Sequence, residues 1–375
     1  MNALLWLLAL AGVASFLPSL YQTGKGQNVL LTPLLLCLGY ALSPLGLGFV
    51  DAAAVRGMQP AVQLLVTWVA LYAGIHMPHP RLWLYHRAFW LQRLGKSCLM
   101  AAWVCLGVSA LLVVTQLLLV RYPVTVLLQD NTTTMTLAWG LLLTGSQMQL
   151  RVWQQGLLAS AALILVSDLT LYQLQLLCIV SLGCALAATL LQRFHARQPL
   201  CNKDTQQRLV ISFVVFTGVA SLCAGLSHQL DLPHVCTGFA VGFWLNLTSK
   251  QPFEQRRWVS QTAMPAQLVV VVLVGMTLQI PWTWLLWGLG LAMVLALMHF
   301  AKAASGSMLH KTSRRIFSYG YAARSTAFAA ALLFAGGRAH APAQLLLAIT
   351  AIAASVADLM VWLLTKYWSQ NKYVA

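Results

Sequence analysis

Apolar runs of about 20 residues, the length of a helix that crosses a bilayer, recur along the whole chain with short polar connections between them. They fall near 3–20, 29–48, 60–77, 97–119, 133–150, 155–173 and 175–193, and again near 208–228, 233–249, 261–279, 284–304, 315–336 and 343–366. The pattern predicts about 13 transmembrane helices. The first run has no basic stretch before it and meets a second apolar run after a short polar turn. We therefore expect a span there and not a cleaved leader.

Composition agrees with that pattern. Hydrophobic residues make up 59% of the 375 residues, charged residues only 8%, and the mean hydropathy is +0.75. That leaves too little polar surface to cover a soluble domain of this size, and the fold class expected is an all-α polytopic membrane protein. The basic residues set its orientation, because Lys and Arg collect in short cytoplasmic loops. Arg81, Arg87, Arg93, Lys96, Arg151, Arg193, Arg197, Lys203, Lys250, Arg256 and Arg257 fall at alternate connections of one side, whereas Arg56, Arg121 and Arg338 fall on the other. The N-terminus is predicted outside and the C-terminus inside. The net charge of +16 is then topological, facing anionic lipid, and calls for no nucleic acid. The stretch PRLWLYHRAFWLQR at 80–93 mixes Trp and Tyr with Arg and His, as an interfacial anchoring helix does.

Polar groups inside the spans are few. Asp168 is a lone carboxylate in GLLASAALILVSDLTLYQLQLL, with Arg151 the nearest charge before it and Arg193 the nearest after it. An acid in such a segment is costly to keep ionised, so it ordinarily faces a polar cavity and marks an ion or proton path. Lys302 lies toward the inner end of the eleventh span, Arg324 in the twelfth and Asp358 in the thirteenth. Lys302 also fits a snorkelling position, and Arg324 with Asp358 a structural ion pair. Two spans carry interruptions: Thr144-Gly145-Ser146-Gln147 in the fifth, and Gly320 with Arg324-Ser325-Thr326 in the twelfth. Non-helical backbone at membrane depth is tolerated where it lines a cavity, and its free termini serve ions.

With the seventh span as a linker, spans one to six begin outside and spans eight to thirteen begin inside. The interrupted helix is then the fifth of each set, and the two sets form inverted six-helix repeats with discontinuous crossing helices.

The cysteines, Cys37, Cys98, Cys105, Cys178, Cys184, Cys201, Cys223 and Cys236, lie nearly all within apolar spans and form no CxxC pair, so they read as small core hydrophobes. The histidines, His228 and His234 among them, stand mostly at helix ends, which suits an interface. His299, one turn before Lys302, is the exception. No enzyme motif is present: no HExxH, P-loop or strand-borne GxGxxG, and no Ser, His and acid at one depth.

These segments resemble the monovalent cation:proton antiporter superfamily, especially its branch of glutathione-gated potassium efflux antiporters. LCLGYALSPLGLGFVDAAAVRGMQPAVQLLVTWVALYAGIHM is similar to that branch's second and third helices with their glycine-rich turn. GLSHQLDLPHVCTGFAVGFWLNLTS, LVVVVLVGMTLQI and GYAARSTAFAAALLF are similar to later helices, the last being the second unwound one. Order and spacing together cover essentially the whole membrane domain.

The resemblance implies that Asp168 binds proton and monovalent cation in turn, with Ser167 in the neighbouring position and Thr144 and Ser146 at the first crossing. It implies that Lys302 stabilises the core and that Arg324 is a basic group of the second crossing. Panel and dimerisation helices fall at about 3–77 and 208–279, core transport helices at about 97–173 and 284–366, and a linker helix at about 175–193. Ser167 stands where relatives carry Asp, Asn or Gln, Ala327 where potassium-efflux members carry Glu, Asp358 where many carry Pro, and Gln147 in the stretch that is usually small or contains proline. A single carboxylate at the pair position implies electroneutral exchange of Na+ or K+ for protons by alternating access.

No cofactor is expected. The partners expected are the lipid bilayer of a bacterial inner membrane and a second copy of the chain. A separate regulatory or effector subunit belongs to the alternative reading, a degenerate antiporter-fold or channel-like component. The short stretch after the last span leaves no room for a nucleotide-binding regulatory domain, and a membrane enzyme, with His299 its poor candidate, is the third class.

Overall fold

The computed structural model describes residues 28–44, 47–77, 170–196, 205–248 and 266–278, with residues 160, 289, 293, 352, 355, 356, 359, 360 and 363. The elements among the described residues are helices: α1 (Asn28–Leu42), α2 (Ala52–Ile75), α3 (Leu171–Ala196), α4 (Thr205–Gln229), α5 (His234–Thr248) and α6 (Ala266–Thr277).

Local chemistry explains their ends. The apolar run predicted a second span to 48, but α1 stops at Leu42, because Ser43 precedes Pro44 and the residue before proline is pushed out of helical backbone. The chain then turns through Gly48, whose φ of +70 suits glycine and whose N–H donates to the Ser43 carbonyl at 3.1 Å. The run near 60–77 begins earlier than its hydropathy suggests. Asp51, extended at φ −67 and ψ 150, takes the N-cap position, and α2 continues through Arg56, Gln59 and Pro60, all exposed. At 24 residues α2 is about 36 Å long, enough to cross a hydrocarbon core of about 30 Å. Every residue from Val66 to Ile75 is buried, so its second half is covered on all sides.

A capping box starts α3. The Gln173 N–H donates to the Thr170 hydroxyl oxygen at 3.3 Å, and the Thr170 N–H donates to Gln173 Oε1 at 3.0 Å. Residues 171–173, which the apolar pattern joined to the sixth span, therefore open this helix. Its buried stripe is Leu177 followed by small or short side chains: Ser181, Cys184, Ala185, Ala188 and Thr189. Its exposed face is large and apolar: Leu171, Ile179, Leu186 and Leu190. Between α4 and α5 the chain reverses in a Schellman-like turn. Asp231 adopts φ +54, and the buried Leu232 donates its N–H to the Ser227 carbonyl at 2.9 Å. Pro233 then leads into α5.

Two glycine seams hold the bundle together. Along the first, α2 and α5 meet at successive turns. Gly238 faces Thr67 and Ala70, Gly242 faces Leu71 and Gly74, and the Asn246 amide donates to the Met77 carbonyl at 2.7 Å. This order makes the two helices parallel. Small residues at four-residue spacing on both sides, Gly238 with Gly242 and Ala70 with Gly74, let the backbones touch. A Cβ at Gly242 would fall on the Leu71 carbonyl oxygen, and one at Gly74 on that of Phe239.

The second seam joins α1 to α6 by equivalent contacts. A Cβ at Gly39 would fall on the Val272 carbonyl oxygen, and one at Gly275 on that of Leu36. An offset of 203 carries Leu36, Gly39 and Tyr40 onto Phe239, Gly242 and Phe243. An offset of 201 carries Leu71 and Gly74 onto Val272 and Gly275. Exchanging the two helix pairs thus reproduces the closest contact of each crossing glycine, that with a carbonyl oxygen of the facing helix.

Candidate functional site

Asp168, Ser167, Thr144, Ser146, Lys302, Arg324 and Asp358 lie outside the described residues. Thr170, two positions past Asp168 in the chain, is the described residue nearest to it and caps α3.

The polar chemistry of the described residues gathers where α3, α4 and α5 meet. Small side chains on the α3 stripe admit α4 closely, and the tight α4–α5 turn folds the start of α5 back against the end of α4. Ser227 of α4 and Thr237 of α5 share a hydrogen bond of 2.6 Å, and the hydroxyl that accepts in it is free to donate locally, Ser227 to the Cys223 carbonyl at 2.7 Å or Thr237 to the Pro233 carbonyl at 3.3 Å. The Cys223 thiol lies among these hydroxyls and meets the thiol of Cys184 from α3. Both cysteines are free and buried, Cys184 at 2% exposure and Cys223 at 0%. On α5, the Cys236 thiol donates to the Ser160 carbonyl at 3.4 Å.

His234, at the first turn of α5, is 2% exposed, and neither of its ring nitrogens has a hydrogen-bond partner. A buried imidazole without partners carries a desolvation cost. Among the described residues, no group of three or more His, Cys, Asp or Glu is placed to hold a metal ion. The corner therefore offers two apposed thiols, a hydroxyl pair and a buried imidazole, which suit thiol chemistry and hydrogen bonding.

These groups were only partly visible beforehand. Cys184, Cys223 and Cys236 are buried as small core residues should be, but Cys37 and Cys178 are exposed. His228 at the end of α4 is exposed, as an interfacial residue would be, whereas His234 is not. Their burial depends on which helix packs against which. The one local clue was Pro233 beside His234, which marks a helix start and so a turn folded back on its neighbour. Compared with known proteins, the chain matches no family model and no curated sequence.

Proposed function

We propose that this chain is a secondary active transporter of the inner membrane that exchanges Na+ or K+ for protons, electroneutrally, by alternating access around Asp168. The observation that carries the proposal is the pair of equivalent glycine seams. In the proposed layout α1 and α2 are spans two and three, while α5 and α6 are spans nine and ten. The seams follow the exchange that an inverted repeat requires, with span two against ten and span nine against three. The parallel course of α2 and α5 supports the same layout, since spans three and nine both run from outside to inside.

The large apolar side chains exposed on α3, over a buried face that is small apart from Leu177, support lipid as the solvent: helix association in a bilayer depends on close packing and not on hiding apolar surface.

The mechanism follows from one acid serving two ligands. Burial favours a neutral Asp168, so it must carry either a proton or a cation, and the two compete for the same oxygens. Hydroxyls of Ser167, Thr144 and Ser146 complete the cation's shell, and Lys302, Arg324 and Asp358 are the supporting charges of the core. Only the neutralised carrier crosses cheaply, which couples the two fluxes. The helices at 3–77 and 208–279 form the static, dimer-forming panel of a homodimer in this reading, and those at 97–173 and 284–366 move.

Ser167 and Ala327, which replace polar or acidic residues of the resembling family, favour a second reading: an antiporter-fold subunit that acts with a partner protein. The test is a pH-jump flux assay in proteoliposomes with Na+, K+ and Li+. The proposal expects cation-dependent proton flux in the wild type and its loss in Asp168→Asn. Undiminished exchange in that variant would overturn it, and silence of the pure wild type would favour the partner-dependent subunit.

A further inference from the structure

We propose that Cys184 and Cys223 form a reversible disulfide that staples α3 to α4, closed by a neutral, membrane-permeant two-electron acceptor and opened by a dithiol. The proposal does not depend on ion exchange at Asp168.

The geometry is particular to these two cysteines. They come from different helices, sit on the small-residue faces along which α3 and α4 pack, and meet thiol to thiol. Of the other cysteines described, Cys236 donates instead to the Ser160 carbonyl, while Cys37 and Cys178 point outward from their helices. Buried residues within about a turn of each cysteine along its own helix, Ser181, Ala185 and Ala188 on α3 and Ala220 on α4, are small. Ser227 and Thr237 place hydroxyls beside Cys223, which can donate a hydrogen bond to its sulfur as the thiolate forms and its proton passes to the acceptor.

In closing, each sulfur gives up one proton and one electron and a single S–S bond forms. The acceptor takes both electrons and both protons; an azo compound leaves as the hydrazine. Reopening by a dithiol returns two thiols and leaves the reductant as its own disulfide. Surrounded by apolar side chains, the pair is out of reach of charged oxidants, which is why the acceptor must be neutral. The closed staple joins helices whose connection spans residues 197–204, and a cross-link that closes a loop in the unfolded chain raises the stability of the folded one.

The test uses the full-length protein in lipid nanodiscs, treated with the azo oxidant diamide in the presence of glutathione. Remaining thiols are then alkylated, and the protein is digested without reductant for mass spectrometry. The expected result is a peptide pair joined through Cys184 and Cys223, two hydrogen masses lighter than the separate peptides and absent after dithiothreitol. The oxidised protein should also melt several degrees higher, with the gain reversed by reductant. Cys223→Ser, which keeps a polar group beside Ser227 and Thr237, should elute as the wild type does and lose both the pair and the thermal gain. Recovery of both cysteines as separate alkylated thiols, under conditions where the added glutathione is fully converted to its disulfide, would overturn the proposal. So would pairing of either cysteine with a third.

Discussion

The α2–α5 seam and the α3–α4–α5 corner are built on the same helix, α5, by opposite means. Along the seam the helices touch through what is missing: Gly238, Gly242 and Gly74 have no side chain, and the backbones close on each other. At the corner they touch through small polar groups, with a hydroxyl pair at 2.6 Å, two apposed thiols and an imidazole without a partner. The seam is a steric lock with no room for change, whereas the corner is held by contacts that chemistry can remake.

The largest expected effect breaks the seam. In Gly242→Ala the new methyl meets the Leu71 carbonyl, which belongs to buried helical backbone and cannot move aside. The cost expected is about 3 kcal/mol, read as loss of monodisperse protein and a lower apparent Tm in detergent. Gly225→Ala on α4 sharpens the contrast, because nothing among the described residues lies within 4 Å of a Cβ there. A gain of about 0.5–1 kcal/mol from helix propensity is expected instead. Equal losses in the two variants would show that the seam is not a steric lock.

Next comes the polar clamp at the end of the same seam. Asn246→Leu removes the amide that donates to the Met77 carbonyl at 2.7 Å and leaves that carbonyl facing an apolar side chain. A cost of about 1–3 kcal/mol is expected, and thermal melts of the purified variant measure it. The smallest effect belongs to the corner. His234→Leu removes two buried nitrogens that have no partner, so stability should rise or stay within about 1 kcal/mol of the wild type. A loss well beyond that would show the imidazole to be engaged.

How far these features could be read in advance varies along the chain. The helix 233–249 was legible almost to its ends because Pro233 marks its start and the apolar run is unbroken; the structure places α5 at His234–Thr248. The start of α2 was not, since Arg56, Gln59 and Pro60 look like a connection until the helix is seen to run through them on its exposed half. The capping box of Thr170 and Gln173 was present as letters, but the apolar residues on both sides hid it.

Glycines show the limit best. Gly183 and Gly242 both sit within apolar helices, yet among the described residues a Cβ at the first meets nothing and at the second meets a carbonyl oxygen. The proposed ion site was legible only as residue types in a pattern, because Asp168 and the groups named with it lie outside the described residues.

Among the described residues, hydropathy and charge pattern by themselves determined that apolar helices dominate and roughly where those helices lie, because 3.6-residue periodicity and turn chemistry are local. Tertiary structure alone decided that α2 lies parallel to α5, that Gly39 meets Gly275 as Gly242 meets Gly74, that Cys184 finds Cys223, and that His234 is buried. Each of these is a contact between residues far apart in the chain, and it depends on how closely two backbones approach. A periodicity records the faces of a helix and not which neighbour covers them.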